Sequence, residues 1–303
     1  MTPGSANRDG LTPHDAKKID QKLVDAKVAE ALAEDAPTGD VTADTIIPAD
    51  LTATASLMAR EAGVMAGAQL FEAAFRLSDS RIQVTFEISD GASFSAGERI
   101  ATVAGPARGV LTGERTALNF VQRLSGIATL TARYVAAVSG TGARILDTRK
   151  TTPTLRVFER HAVVCGGGTN HRFSLSHGFM AKDNHLAVLA AGGKDLSVEL
   201  HRVKAELSPG IPFEVEVDRL DQIDAVLDGG AEIILLDNFS VADLAKAVTH
   251  IGDRALKEAS GGVTLTTVRA IAETGVDTIA VGALTHSAPA LDLGLDIALA
   301  PVD

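Results

Sequence analysis

Cysteine occurs once in the 303 residues, at Cys165, so the chain can form neither an intramolecular disulfide nor a multi-cysteine metal centre. That usage fits a reducing compartment, and a cytoplasmic location is expected. No apolar run approaches the ~18 residues that a membrane helix needs, so no membrane partner is expected. Residues 1–14 are rich in Gly, Pro, Ser and Asn and lack the apolar stretch of a signal peptide, so a loose tail is expected there. Positive charge is also in short supply: 28 Lys and Arg against 39 Asp and Glu leave a formal net charge of −11. This balance argues against a general nucleic-acid or membrane-surface role. It makes any local cluster of Lys, Arg and His informative, because such a cluster must hold an anion or be neutralised by neighbours.

What is present is an ordinary globular composition, 46% hydrophobic and 22% charged. The length suggests two domains, or one barrel with an appended unit. Between Asp15 and Glu34 the residues Ile19, Leu23, Val24, Val28 and Leu32 repeat at helical spacing. The helix should end before the turn signal Pro37-Thr38-Gly39-Asp40. From Leu51 to Gly105 the texture becomes short strands at 53–58, 63–66, 82–88 and 100–103, with one helix near 68–77. A long helical pattern covers about Thr112 to Val138, and Ser125-Gly126 inside it reads as a kink or a site of close packing.

Beyond it, strand candidates at 143–146, 162–165, 178–181, 213–217, 232–236, 255–258 and 278–281 alternate with helical stretches. That rhythm indicates a parallel sheet with helical crossovers, and about seven units favour a (β/α) barrel, incomplete if need be, over an open sheet. Barrel enzymes build their sites at the C-terminal ends of the strands. Here those ends carry Arg149 and Lys150, then His171 and Arg172, Lys182, Glu216, Asp237, Ser260-Gly261-Gly262, and Gly282. The five cationic residues Arg149, Lys150, His171, Arg172 and Lys182 imply a strongly anionic ligand, because Arg forks and Lys point charges suit carboxylates and phosphates. Glu216 and Asp237 suit sugar hydroxyls or Mg²⁺, with a structural ion pair as the alternative. Glu214, two residues before Glu216, should point to the same side one layer deeper, as a pairing residue. The glycine loops at Ser260-Gly261-Gly262 and Gly282 lie in the last two units, where barrels usually bind phosphate. Gly166-Gly167-Gly168 reads either as part of the site or as a tight turn. Cys165 reads as a core residue ending a strand. His161, His177, His185 and His201 have no Cys or carboxylate at zinc spacing, so no zinc site is expected.

Several ordered motifs resemble the quinolinate phosphoribosyltransferase family. They are Arg115-Thr116-Ala117-Leu118-Asn119, Gln122 to Thr129, and Asp147-Thr148-Arg149-Lys150-Thr151-Thr152-Pro153. Further on come Gly166-Gly167-Gly168 with His171-Arg172, Lys182-Asp183-Asn184-His185, Glu214 to Asp218, Leu236 to Phe239, Glu258 to Gly262, and Val281 to His286. The resemblance covers nearly all of the chain after the tail. It implies an α/β protein: a flexible tail (1–14), an N-terminal α/β sandwich-like domain (15–120, completed by 288–303) and an incomplete (β/α) barrel (121–287). It also implies a homodimer with shared active sites, or a higher oligomer, in which Arg115 reaches into the neighbouring subunit's site. Arg149, Lys150, His171, Arg172 and Lys182 would then contact quinolinate carboxylates and phosphoribosyl pyrophosphate. Lys150, Glu216 and Asp237 would be catalytic, Glu216 and Asp237 would meet ribose hydroxyls and Mg²⁺, and Ser260, Gly261 and Gly282 the 5′-phosphate. Two positions depart from the usual pattern: His177 stands where Asp is common, and Val164 where a basic residue is frequent. The residues alone leave room for a relative acting on another anionic ring, or for an aldolase-type barrel with Lys150 or Lys182 as nucleophile. A non-enzymatic binding or assembly protein is a third reading, for which so complete a polar rim is superfluous.

Overall fold

The computed structural model describes residues 19–300, which form two compact units. The tail expected at 1–14 lies outside the described residues. The first unit comprises 19–132, 152–167 and 287–300. It opens with α1 (Gln21–Asp35), whose first turn is capped by Asp20 accepting from the Lys22 N–H. Val24 and Val28 bury a narrow stripe against α3 (Ala68–Ser78), while Leu23 is 52% exposed. The expected apolar face is therefore narrower than its spacing suggested. The turn at 37–40 leads into a short helix that sequence periodicity missed, α2 (Val41–Ile46). Asp40 caps it by accepting from the N–H groups of Thr42 and Ala43.

The sheet of this unit pairs β1 (Thr52–Ala59) with β5 (Arg99–Pro106) on one side and β12 (Leu293–Ala300) on the other. Outside β5 lies β3 (Gln83–Phe86), and all pairings are antiparallel. Along β1 the small residues Ala53, Ala55, Leu57 and Ala59 are buried at alternate positions, as a sheet with one covered face requires. Phe71 and Phe75 of α3 pack edge to face at 5.1 Å in the core. A second small pairing joins β2 (Gly63–Val64) to β4 (Ser93–Phe94).

The long helix α4 (Ala107–Ala137) explains why Ser and Gly sit together in an apolar stripe. Ser125 is fully buried; its hydroxyl accepts from the Ala66 N–H and donates to the Ala66 carbonyl. Thr129 accepts from the Val64 N–H in the same way. These bonds satisfy backbone groups that would otherwise be buried unpaired. Gly126 lets the chain at Pro289 approach, because a Cβ there would lie 2.0 Å from the Pro289 carbonyl oxygen. Gly126→Ala is expected to destabilise folding by about 1–3 kcal/mol, the usual cost of overpacking. A urea midpoint equal to that of the unsubstituted chain would contradict this.

The segment read as a strand at 162–165 is instead the end of a helix, α5 (Arg156–Cys165). Phe158, Ala162 and Cys165 fall at helical spacing and all three are buried, whereas a four-residue apolar run in isolation also fits a strand. Gly166 then packs tightly on α4, where a Cβ would come within 2.3 Å of the Ala128 carbonyl oxygen, and Gly167 turns the chain at φ +83°. The glycine run thus serves packing and turning.

The second unit comprises residues 133–151 and 168–286. Its strands are β6 (Arg144–Leu146), β7 (Phe179–Ala181), β8 (Phe213–Val217), β9 (Ile233–Asp237), β10 (Leu256–Ser260) and β11 (Thr278–Ala280). All are parallel, in the order β6-β11-β10-β9-β8-β7, the incomplete barrel-like sheet expected, with six strands in place of seven. Crossovers are made by α6 (Asp183–Leu189), α7 (Leu196–Glu206), α8 (Ile223–Asp228), α9 (Val241–Ile251) and α10 (Val268–Ala272), and α11 (Ala283–His286) follows the last strand. The middles of β8, β9 and β10 are buried at consecutive positions, the signature of a sheet covered on both faces.

Candidate active site

In a parallel sheet, paired residues share a face and alternate residues return to it. The register sets Met180 beside Glu214, Glu216 beside Leu235, Leu235 beside Glu258, and Asp237 beside Ser260. One face of the second unit's sheet therefore carries two rows of polar side chains that rise toward the strands' C-terminal ends. There they open on a cavity of about 400 Å³. Arg149, Lys150, His171, Arg172 and Lys182, the five cations expected at strand ends, all line it. So do Glu216, Asp237 and Ser260.

Four of the five cations are held by contacts of their own local structure. Lys150 donates its N–H to Thr148 Oγ1 (3.1 Å), and its carbonyl accepts from Thr285 Oγ1 (2.8 Å). The His171 N–H donates to the buried Asp147 Oδ1 at 2.7 Å, and its Nε2 lies 3.4 Å from both Glu214 and Glu258. Arg172 Nη1 donates to the Gly178 carbonyl (3.1 Å), and Nη2 lies 3.4 Å from Met180 Sδ. Lys182 forms an ion pair with Glu216. The Lys182 N–H donates to His185 Nδ1 at the start of α6. His177 pairs with Ser174 Oγ at 2.7 Å within the loop that delivers the Gly178 carbonyl. Lys150 is exposed and the Lys182 side chain is 46% exposed, so neither has the buried setting that an amine nucleophile needs.

The electrostatics under the cavity are set by burial. Burial lowers Arg172, with the Arg149 charge working the same way and Glu214 opposing. His171 is pulled down by burial, but Glu214 and Glu258 outweigh this and push it up to about 10. Burial raises Glu214, and the neighbouring Glu258 charge raises it further. His171 therefore keeps its proton at neutral pH. The Arg172 backbone nitrogen lies 2.7 Å from His171 Nδ1, and Nε2 presents its proton to the two glutamates.

Beside the cavity is an acidic hollow of about 340 Å³ lined by Asp183, Glu216, Asp218, Asp237 and Asn238. Glu216 and Asp237 face both spaces. The hollow offers hard carboxylate oxygens, the donor set that suits Mg²⁺. Asn238 has φ 58° and donates through Nδ2 to Asp237 Oδ2 at 2.7 Å. Gly261 follows the cavity residue Ser260 at φ +92°, and a Cβ there would strike Asn238 Oδ1 at 2.2 Å. Gly282 lies beside Lys150, where a Cβ would come within 3.0 Å of its Cδ.

Arg115 is exposed on α4 in the first unit. Glu258 and Asp147 stand in the strand-end motifs without an assigned role, and Met180 is not singled out by the sequence. Glu258 stands to Ser260 as Glu214 does to Glu216, two residues earlier on the same face, and that signal was available. Asp147 holds the His171 backbone and Met180 lies beside Arg172, contacts that spacing along the chain does not show.

A parallel β/α unit with an anion-reading cavity at its strand ends defines an enzyme of the barrel type whose ligands carry several negative charges. The quinolinate phosphoribosyl transferase N-terminal domain profile matches residues 40–125, and the C-terminal domain profile matches residues 127–296. The chain belongs to this family. It is 44% identical over 278 residues to the nicotinate-nucleotide pyrophosphorylase [carboxylating] of Mycobacterium leprae, covering 89% of this chain and 95% of that one. It is 40% identical to the probable counterpart in Bacillus subtilis, covering 88% and 90%. The solved nicotinate-nucleotide pyrophosphorylase of Francisella tularensis superposes with a TM-score of 0.87 at 37% identity, covering 94% of this chain and 99% of that one.

Proposed function

We propose that the chain transfers the phosphoribosyl group of phosphoribosyl pyrophosphate to quinolinate with loss of carbon dioxide, giving nicotinate mononucleotide and pyrophosphate for NAD biosynthesis. The reading is carried by one observation, a five-cation cavity adjoining a four-carboxylate hollow, with Glu216 and Asp237 common to both. The activities for which the relatives are named agree with it. Both substrates are anionic and would repel one another, so fixed cations must bring them together. Arg149, His171, Arg172 and Lys182 take the quinolinate carboxylates and substrate phosphates, with Lys150 near the reacting centre. As pyrophosphate leaves, positive charge grows on the ribose, and Glu216 and Asp237 stabilise it while binding the hydroxyls. Backbone N–H groups around Ser260, Gly261 and Gly282 take the 5′-phosphate. Glu216 and Asp237, with Asp183 and Asp218 behind them, are the residues that would hold Mg²⁺, which neutralises pyrophosphate charge when bound.

Once its ring nitrogen is glycosylated, quinolinate is a pyridinium. The pair of electrons from the breaking bond to the adjacent carboxylate is then held beside N⁺, and the carbon takes up a proton. The protein's part is positioning and electrostatics. The working form is a cytoplasmic homodimer in which the exposed Arg115 of one subunit completes the cavity of its partner. The test is to incubate folded protein with quinolinate, phosphoribosyl pyrophosphate and Mg²⁺. Nicotinate mononucleotide is expected, with one carbon dioxide for each molecule formed. No product at micromolar enzyme would overturn the proposal, and borohydride trapping of substrate on Lys150 or Lys182 would replace it with Schiff-base chemistry.

A further inference from the structure

In the first unit, outside the set of residues that line the cationic cavity, three side chains from two elements converge. His161 Nε2 lies 3.0 Å from Asp90 Oδ2 and 3.5 Å from Cys165 Sγ, and all three ligand atoms lie within 4.8 Å of one another. His161 and Cys165 are one turn apart on α5, the i, i+4 spacing that turns two ligands to one point. Asp90 comes from the turn between β3 and β4, and its other oxygen, Oδ1, accepts the Ala68 N–H at the start of α3 at 3.1 Å, which fixes the carboxylate with Oδ2 toward His161. Such outer hydrogen bonds are how proteins orient metal ligands.

Hydrogen bonding alone serves this trio poorly. Nε2 has one site, a proton or a lone pair. With a proton it donates to Asp90, and the sulfur only shares that proton. Without one it can accept the thiol proton, but it then turns a lone pair toward the Asp90 carboxylate. A cation at the centre satisfies all three. Tetrahedral zinc with bonds of about 2.0–2.3 Å holds its ligand atoms roughly 3.3–3.7 Å apart, close to the separations seen before any ion is added. Imidazole and thiolate select a borderline-soft ion over Mg²⁺.

We propose that Asp90, His161 and Cys165 form a binding site for a zinc-type divalent cation, which ties the turn between β3 and β4 to the end of α5 and keeps a fourth position for water. Loading breaks the S–H bond, releases that proton to solvent and forms a metal–thiolate bond. Thiolate, carboxylate and neutral imidazole then balance the two positive charges. The His161 and Asp90 side chains are 9% and 19% exposed, so the open position can be reached from solvent. The Asp90 carboxylate attracts a cation. Spacing along the chain could not reveal the site: Asp90 lies 71 residues from His161, and residues 162–165 read as a strand.

Cys165 is the only cysteine of the chain, which makes the test unambiguous. Metal-free protein is titrated with Co²⁺ in buffer containing excess Mg²⁺ while the near-ultraviolet sulfur-to-cobalt charge-transfer band is followed. One equivalent per chain should saturate the band, and Zn²⁺ should abolish it. Cys165→Ser should show no band, and Asp90→Asn and His161→Gln should each weaken binding at least about tenfold. No band in the unsubstituted protein would overturn the proposal whatever the variants do. A band of undiminished affinity in folded His161→Gln would also overturn it, by showing a thiol acting without the cluster.

Discussion

Arg172→Ala is expected to lower kcat/KM for quinolinate by roughly 10²–10³-fold, the loss that follows truncation of one partner in a desolvated charge contact. The guanidinium is fixed in advance by the Gly178 carbonyl and Met180, and burial has already stripped much of its water. It therefore meets a carboxylate at little further entropic cost. Arg172→Lys should recover only part of the loss, because a point charge cannot reproduce a planar fork. Steady-state kinetics on protein with an unchanged circular dichroism spectrum decides the matter, and a loss smaller than about threefold would remove Arg172 from the substrate contacts.

The second large effect is a restoration. Arg115→Ala and Lys150→Ala proteins should each be nearly inactive, and mixing them should return up to about a quarter of the wild-type sites, since half of randomly paired dimers are hybrids with one intact site each. Arg115 is exposed on α4, and Lys150 lines the cavity of the second unit. If Arg115 served its own chain, no hybrid would contain an intact site. An inactive mixture with confirmed subunit exchange therefore refutes the shared site.

Much of this was legible before the structure, for a physical reason. Parallel strands buried on both faces are short apolar runs, and charged residues at their ends have no reason to be there except chemistry, so Arg149, Lys150, His171, Arg172 and Lys182 pointed to one cavity. Glu214, read as a deeper pairing residue, does pair with His171. What failed was local ambiguity and distance. Residues 162–165 are as apolar as a strand, and only the wider register of Phe158, Ala162 and Cys165 identifies a helix. That error hid the metal-ligand cluster. In a strand, residues 161 and 165 would stand roughly 13 Å apart, whereas in α5 they face one point. Asp147 under His171 and Asp90 beside His161 are brought in by tertiary folding, which no spacing along the chain encodes. Helix α2 is only six residues long and depends on the Asp40 cap, too little for periodicity to register.

The central claim is that the cationic cavity reads two carboxylates on one ring. The direct measurement compares quinolinate with nicotinate, which lacks the carboxylate next to the ring nitrogen, at equal phosphoribosyl pyrophosphate and Mg²⁺. A site built around both carboxylates should favour quinolinate in kcat/KM by at least about a hundredfold, because nicotinate forgoes the contacts that its missing carboxylate would make with the cavity's cations. Equal use of the two acids would contradict the account.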